Sequence, residues 1–217
     1  MEKDNRTAEI TAAETRRITV SRPVYEDDED NEEEKKSVDP LIVKMLKTRT
    51  ILLSGQVNKD LAEKTIRQLL LLDEDGDKAI KIFIDSPGGD ADAGFAIFDM
   101  IRFVKSPVWT VGMGLVASAA AIIQLASPKE RRVGLPNSHY LIHQPLSGIR
   151  GVATDIEIHA RELEKLRDKI NRLIADETGA ALEQVEKDTD RDFWMNAEEA
   201  VQYGLISKII VHREELA

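Results

Sequence analysis

Three stretches of this 217-residue chain carry side chains that could activate a hydroxyl for attack on a carbonyl carbon. Ser118 lies in GLVASAAA, His143 lies in LPNSHYLIHQP with His139 as its local competitor, and Asp188, Asp190 and Asp192 crowd the segment KDTDRDFW. A serine hydroxyl is a weak nucleophile until a base takes its proton, and an imidazole oriented by a carboxylate is a suitable base. The chain order here, serine then histidine then acid, differs from the three familiar orders of such a triad, His-Asp-Ser, Asp-His-Ser and Ser-Asp-His. Taken singly, each residue has an ordinary reading: a small polar residue in an Ala-rich helix, a structural histidine at a strand end, a solvated charge run. Taken jointly, they read as a nucleophile, a base and an orienting acid.

The elements that must position these groups read as an α/β fold. Strand-like runs at Thr50 to Ser54 and Ile80 to Asp85 flank an amphipathic stretch that begins at Asn58 and places Leu61, Ala62, Ile66, Leu69 and Leu70 on one face. The turn Ser86-Pro87-Gly88-Gly89 then breaks the chain before a helix with Phe95, Phe98 and Ile101 at three-residue spacing. Paired glycines let backbone N–H groups approach a ligand that a side chain would block. A buried strand at Val108 to Val111, a second turn marked by Gly112 and Gly114, and an Ala-rich helix from about Ser118 follow. A serine there sits where free N–H groups and the positive end of a helix dipole favour a developing oxyanion.

Further along, Arg131 to Gly134 and Tyr140 to His143 read as short strands, separated by the turn Pro136-Asn137. By alternation His139, Leu141 and His143 share a strand face. Thr154 to Thr178 reads as one helix, with Ile156, Leu163, Leu166, Ile170, Leu173 and Ile174 near helical spacing and Gly179 ending it; it is long for a domain of this size. His159 falls in that helix and His212 near the C-terminus. Asn196 and Glu199 form a capping-box pattern, Gly204 stops the helix, and Leu205 to Val211 reads as a closing strand.

Composition narrows the function classes. The net charge of −10 comes largely from the run Glu26 to Glu34, in which only Asn31 is not acidic, so the body is nearly neutral. Nucleic acid and anionic membrane call for clustered Lys and Arg and are excluded as primary partners. With no cysteine, disulfides and thiol catalysis are impossible, and no metal or cofactor is expected. The charged N-terminus MEKDNRTAEI lacks the apolar stretch of a secretory signal, and Val111 to Ala126 is short for a membrane span, so a cytoplasmic protein is expected. Residues 1–38 have the composition of a disordered or partner-dependent arm, and a single domain is expected from 39 to 217.

The joint pattern of SPGG, the serine in ASAAA, LPNS followed by IHQP, and DTDRD resembles the proteolytic subunit of the Clp protease, ClpP, from roughly Asp39 to Glu215. The resemblance implies a ClpP/crotonase-like spiral of strand-turn-helix units with a protruding handle helix, which the long helix would form. It implies Ser118, His143 and Asp192 as the catalytic triad, the N–H groups of Gly89 and Ala119 as the oxyanion hole, and Asp190 with Arg191 as a pair that bridges two rings. Asp192 would be buried by Phe193 and Trp194. The activity implied is a serine endopeptidase that cleaves unfolded polypeptide to short peptides inside a chamber of two stacked heptameric rings, fed by a Clp-type AAA+ ATPase. Substrate would lie extended between the segments after SPGG and after HQP, pairing through its main chain as a strand does.

Several positions depart from the family pattern. The acidic arm is longer than the usual axial segment, Lys81 replaces one of two aromatics in the pocket where the ATPase docks while Phe83 keeps the other, Ala119 replaces the usual Met, and Asp85 replaces an Asn before SPGG. The stretch Ser127 to Arg132 is about one residue short. A self-acting peptidase of the signal-peptide-peptidase type or a hydratase-like member of the crotonase fold lacks the IHQP and DTDRD combination. The competing non-enzymatic expectation is a structural ring subunit that co-assembles with a paralogous peptidase.

Overall fold

Three apolar runs, Thr50–Ser54, Ile80–Ser86 and Val108–Ala117, form adjacent parallel strands β1, β2 and β3. In the computed structural model the chain divides into two units, Met1–Ser37 and Val38–Ala217, and residues 40–216 are described. The expected arm of residues 1–38 therefore lies outside the described residues. The described part opens with a helix that the sequence reading lacked, α1 at Pro40–Lys47. It continues through α2 (Lys59–Glu74), α3 (Ala91–Phe103), α4 (Ala119–Gln124), α5 (Ala153–Thr178), α6 (Leu182–Asp188) and α7 (Ala197–Tyr203).

The remaining strands are β4 (Arg132–Gly134), β5 (His139–Ile142), β6 (Phe193–Met195) and β7 (Lys208–Ile209). The sheet runs β1-β2-β3-β4-β7, with β5 beside the far half of β3 and β6 beside β5; β6 alone is antiparallel to its neighbour. Strand β2 shows why one face is the core: Ile80, Ile82 and Ile84 are fully buried while Lys81 and Phe83 point to the other, half-covered face. Each such isoleucine contributes about 1.5–3 kcal/mol of burial. Helices α2 to α5 cover the isoleucine face, and a smaller cluster of Val111, Val133, Ile210 and Leu216 covers part of the other.

Several sequence expectations shift. Gly112 and Gly114 do not end β3; they lie inside it. As β2 advances from Ile84 to Ser86, β3 advances from Gly112 to Val116, so the glycines mark a bulge. Gly114 takes φ +55, and the Asp85 carboxylate accepts from Leu115 N at 3.0 Å to hold the bulge. On α2, Leu70 is 44% exposed, and Thr65 and Leu72 take the buried positions instead. Ile156 of α5 is likewise 42% exposed. The closing strand is only Lys208–Ile209, because β4 offers just Val133 and Gly134 as partners. Arg131 belongs to a 3₁₀ turn before β4, and His143 lies one residue past β5.

Two devices fix the C-terminal half. Gly179 caps α5 in the left-handed conformation, as expected, and Arg132 holds the end of that helix through Glu177. Arg132 is 2% exposed, and its guanidinium donates to Ser127 O at 2.6 Å, Glu177 O at 2.9 Å and Glu177 Oε2 at 2.5 Å. Burial pulls its pKa down, and the Glu177 charge opposes that. The capping box of Asn196 and Glu199 is present at the start of α7, and Gly204 ends it.

Candidate active site

Ser118 sits at the junction of β3 and α4, with φ 57 and ψ −121. A non-glycine residue there is strained, at a cost of about 1–3 kcal/mol. The conformation turns the chain from strand to helix within one residue and presents the hydroxyl at the strand's C-terminal end. The Ser118 N–H is held by Leu141 O at 2.9 Å, which ties the turn to β5. All six residues of α4 are buried, and α3 approaches its first residue closely: a Cβ on Gly94 would lie 3.2 Å from the Ala119 Cβ.

The register of three neighbouring strands brings the other two groups to the serine. Ala117 pairs with Leu141, so Ser118 and His143 emerge from the same ends of parallel strands β3 and β5. Ile142 pairs with Phe193 in the antiparallel β5–β6 ladder, so the next residues outward, His143 and Asp192, face each other. His143 Nε2 lies 2.8 Å from Ser118 Oγ, and His143 Nδ1 lies 3.0 Å from Asp192 Oδ1. The competitor His139 begins β5 on the exposed side. Of the three acids in the cluster, Asp192 meets the imidazole, while Asp188 pairs with Gln184 and Tyr203 and Asp190 with Gln144.

Asp192 is not buried by Phe193 and Trp194: its side chain is 60% exposed against 16% for His143, and Trp194 is itself 55% exposed. The short strand β6 explains this, since it is the outermost strand beside β5 and Trp194 faces away from the core. The acid is held instead by its loop. Gln144 donates from its backbone to Thr189 O and from its amide to Asp190 O, each at 2.6 Å. Thr189 donates to the buried Asn171 of α5 at 2.8 Å. Sequence reasoning did not single out Gln144, Thr189 or Asn171; a buried Asn on the apolar face of a long helix was the available signal.

Gly88 presses against the serine turn, and Gly89 against the backbone of Val57. A Cβ on Gly88 would lie 2.4 Å from Ala117 O and 2.9 Å from Ala119 N, and one on Gly89 would lie 2.2 Å from Val57 O. Both adopt positive φ, 84 and 147, so glycine is needed for conformation as well as space. Buried Ser86 accepts from Gly88 N at 3.1 Å and shapes the turn. The N–H of Ala119, at the first position of α4, has no intrahelical acceptor.

A cleft of about 820 Å³ opens over Ser118, His143 and Gly89, floored by apolar residues such as Ile122, Ile142 and Ile170. Behind the site, Tyr140 is fully buried with its hydroxyl 3.0 Å from Ser138 Oγ, and burial pushes its pKa up to about 12. Gly112 and Gly134 leave the room this ring needs. Asp190 also lies 3.5 Å from Arg167, and Arg191 is exposed. A second groove, about 350 Å³, is bounded by Met45, Lys81, Phe83, Leu135, Ile210 and Leu216. Among the described residues no helix is long and apolar enough to cross a membrane, and no cluster of His, Asp and Glu is arranged for a metal.

Known proteins share this arrangement of elements. The family model described as Clp protease matches residues 32–213. The ATP-dependent Clp protease proteolytic subunit 2 of Treponema denticola is 66% identical over 192 residues, 87% of this chain and 96% of that protein. The proteolytic subunit 3 of Rhizobium johnstonii is 48% identical over 172 residues, 79% of this chain and 89% of that protein. A solved structure of a ClpP1 variant from Listeria monocytogenes superposes with a TM-score of 0.77 at 48% identity, covering 82% of this chain and 99% of that one. With the family model spanning most of the chain and relatives this similar over nearly their whole length, the chain belongs to the Clp protease family.

Proposed function

We propose that this chain is a Clp-type serine endopeptidase in which Ser118 is the nucleophile, His143 the general base and then acid, and Asp192 the orienting carboxylate. The observation that carries the reading is the continuous line of hydrogen bonds, 2.8 Å from Ser118 Oγ to His143 Nε2 and 3.0 Å from His143 Nδ1 to Asp192 Oδ1. As Ser118 Oγ bonds to the scissile carbonyl carbon, its proton passes to Nε2 and the carbonyl oxygen becomes an oxyanion. The N–H groups of Gly89 and Ala119 receive that charge. Collapse breaks the C–N bond, and the imidazolium gives its proton to the leaving amine. Water then attacks the acyl-enzyme by the same route, releasing the second product and restoring Ser118. Each oxyanion donor of this kind is worth about 2.7–4 kcal/mol of transition-state stabilisation.

The substrate is unfolded polypeptide bound extended in the cleft, where main-chain pairing tolerates many sequences. Its relatives are named as proteolytic subunits of an ATP-dependent protease. Two stacked heptameric rings with α5 as the handle and Asp190 with Arg191 at the ring junction, fed by a Clp-type AAA+ ATPase in the cytoplasm, complete the proposal. The groove at Lys81 and Phe83 is where that ATPase would dock. The test is hydrolysis of a fluorogenic peptide, and of casein with candidate ATPases, by the assembled protein and by Ser118→Ala. Loss of about 10⁴–10⁶-fold in kcat is expected in the variant; equal turnover by the two would rule the reading out.

A further inference from the structure

On the face of the sheet opposite the isoleucines, strand register sets Lys81 between Thr50 and Trp109, and Phe83 between Leu52 and Val111. Both side chains are half-buried and line the groove of about 350 Å³, together with residues of α1 and of the C-terminal segment. That segment is fixed in place. Glu215 Oε1 accepts from Val211 N and His212 N, each at 2.8 Å, and Leu216 is buried against Val111, Val133 and Ile210. The groove is therefore preformed, with an apolar floor that includes Phe83 and Leu135. Its charge has one sign: Lys81 and Arg213 line it, and among the described residues no carboxylate does. Neither cation has an ion-pair partner among the described residues, and the Glu215 carboxylate of the same segment is taken up by its two backbone donors.

An apolar group that enters such a groove strips water from the Lys81 ammonium and returns no hydrogen bond, which works against binding. A carboxylate that arrives beside the apolar group replaces the lost water with a charge-assisted hydrogen bond, while a second cation is repelled. We infer that the groove selects a docking segment that carries a carboxylate next to its apolar anchor, with the anchor against Phe83 and Leu135 and the carboxylate on Lys81. The inference rests on the reading of this groove as the place where the partner ATPase docks, and it adds the chemistry that tells one partner from another. Arg213, exposed at the same groove, extends the positive field and favours the acidic segment on approach.

The experiment titrates the assembled wild type, Lys81→Gln and Lys81→Glu with two end-blocked fluorescent pentapeptides that differ at one position, Phe-Glu against Phe-Gln at the centre. One such ion pair is worth about 3- to 10-fold in Kd. The wild type should hold the Glu peptide tighter by that factor at low salt, and added salt should shrink the difference. Lys81→Gln should lose the preference and Lys81→Glu should reverse it, with a sizing column showing that each variant assembles. If the charge reversal disturbs assembly, the peptide pair on the wild type and on Lys81→Gln decides the outcome. Equal affinity of the wild type for the two peptides, a preference that survives in Lys81→Gln, or binding of neither peptide overturns the inference. Casein degradation driven by a candidate ATPase separates it from the reading beneath it. Competition by the Glu peptide ahead of the Gln peptide supports both; degradation that neither bound peptide slows would overturn docking at this groove while its selectivity stands.

Discussion

Ser118, His143 and Asp192 occupy three unlike environments: a strained strand-to-helix turn, the end of a buried strand, and an exposed loop. The serine and histidine were legible because each follows an apolar strand and meets a chain break. The strain at Ser118 was not legible, since φ is not written in residue type. The acid was the hardest to read, because Asp188, Asp190 and Asp192 are alike in composition and only strand pairing distinguishes them. Its exposure weakens electrostatic support for an imidazolium while leaving its orienting hydrogen bond. Asp192→Asn therefore lowers kcat by about 10²–10⁴-fold with little change in melting temperature. Steady-state kinetics with circular dichroism checks this, and a variant with wild-type kcat would remove Asp192 from the mechanism.

At the scale of elements, the two strand-turn-helix units that carry Ser118 and the Gly88-Gly89 turn were legible from period and punctuation. The bulge in β3 was not, because a glycine inside a strand and a glycine ending it have the same composition; the Asp85 contact and the β2 register decide between them. Helices α1 and α6 are short: α1 is apolar but its two turns are too few to establish a period, and α6 carries only Leu182 and Val185 as apolar positions. Strand β5 depends on Tyr140, whose ring fills the space left by Gly112 and Gly134. Its folded pKa of about 12 lies above the ordinary phenol value of about 10. The stability this represents is complete below the ordinary value and is lost as pH rises from there through the folded one. Alkaline unfolding should therefore shift to higher pH in Tyr140→Phe, provided the ring packs as before. A midpoint unmoved by the substitution would show that another group governs the alkaline limb.

For the whole molecule, the 26-residue α5 is longer than the domain needs, and Ile156 and Ile158 on its first half are exposed, as are Leu146 and Val152 before it. An apolar surface of this kind is covered in an assembly. Asp190 and Arg191 adjoin Asp192, so in the proposed double ring the ring contact and the orienting acid would share one loop. Arg191→Ala should shift the particle to half its mass on a sizing column and lower peptide turnover with it. Full turnover from separated rings would uncouple assembly from catalysis.

An activated Ser118 in the assembled protein should react with a fluorophosphonate, which intact mass and peptide mapping read directly. The expected result is one adduct per chain, on Ser118, absent from Ser118→Ala and strongly slowed in His143→Ala. Assembled protein that stays unmodified, or an adduct mapped to another serine, would contradict it.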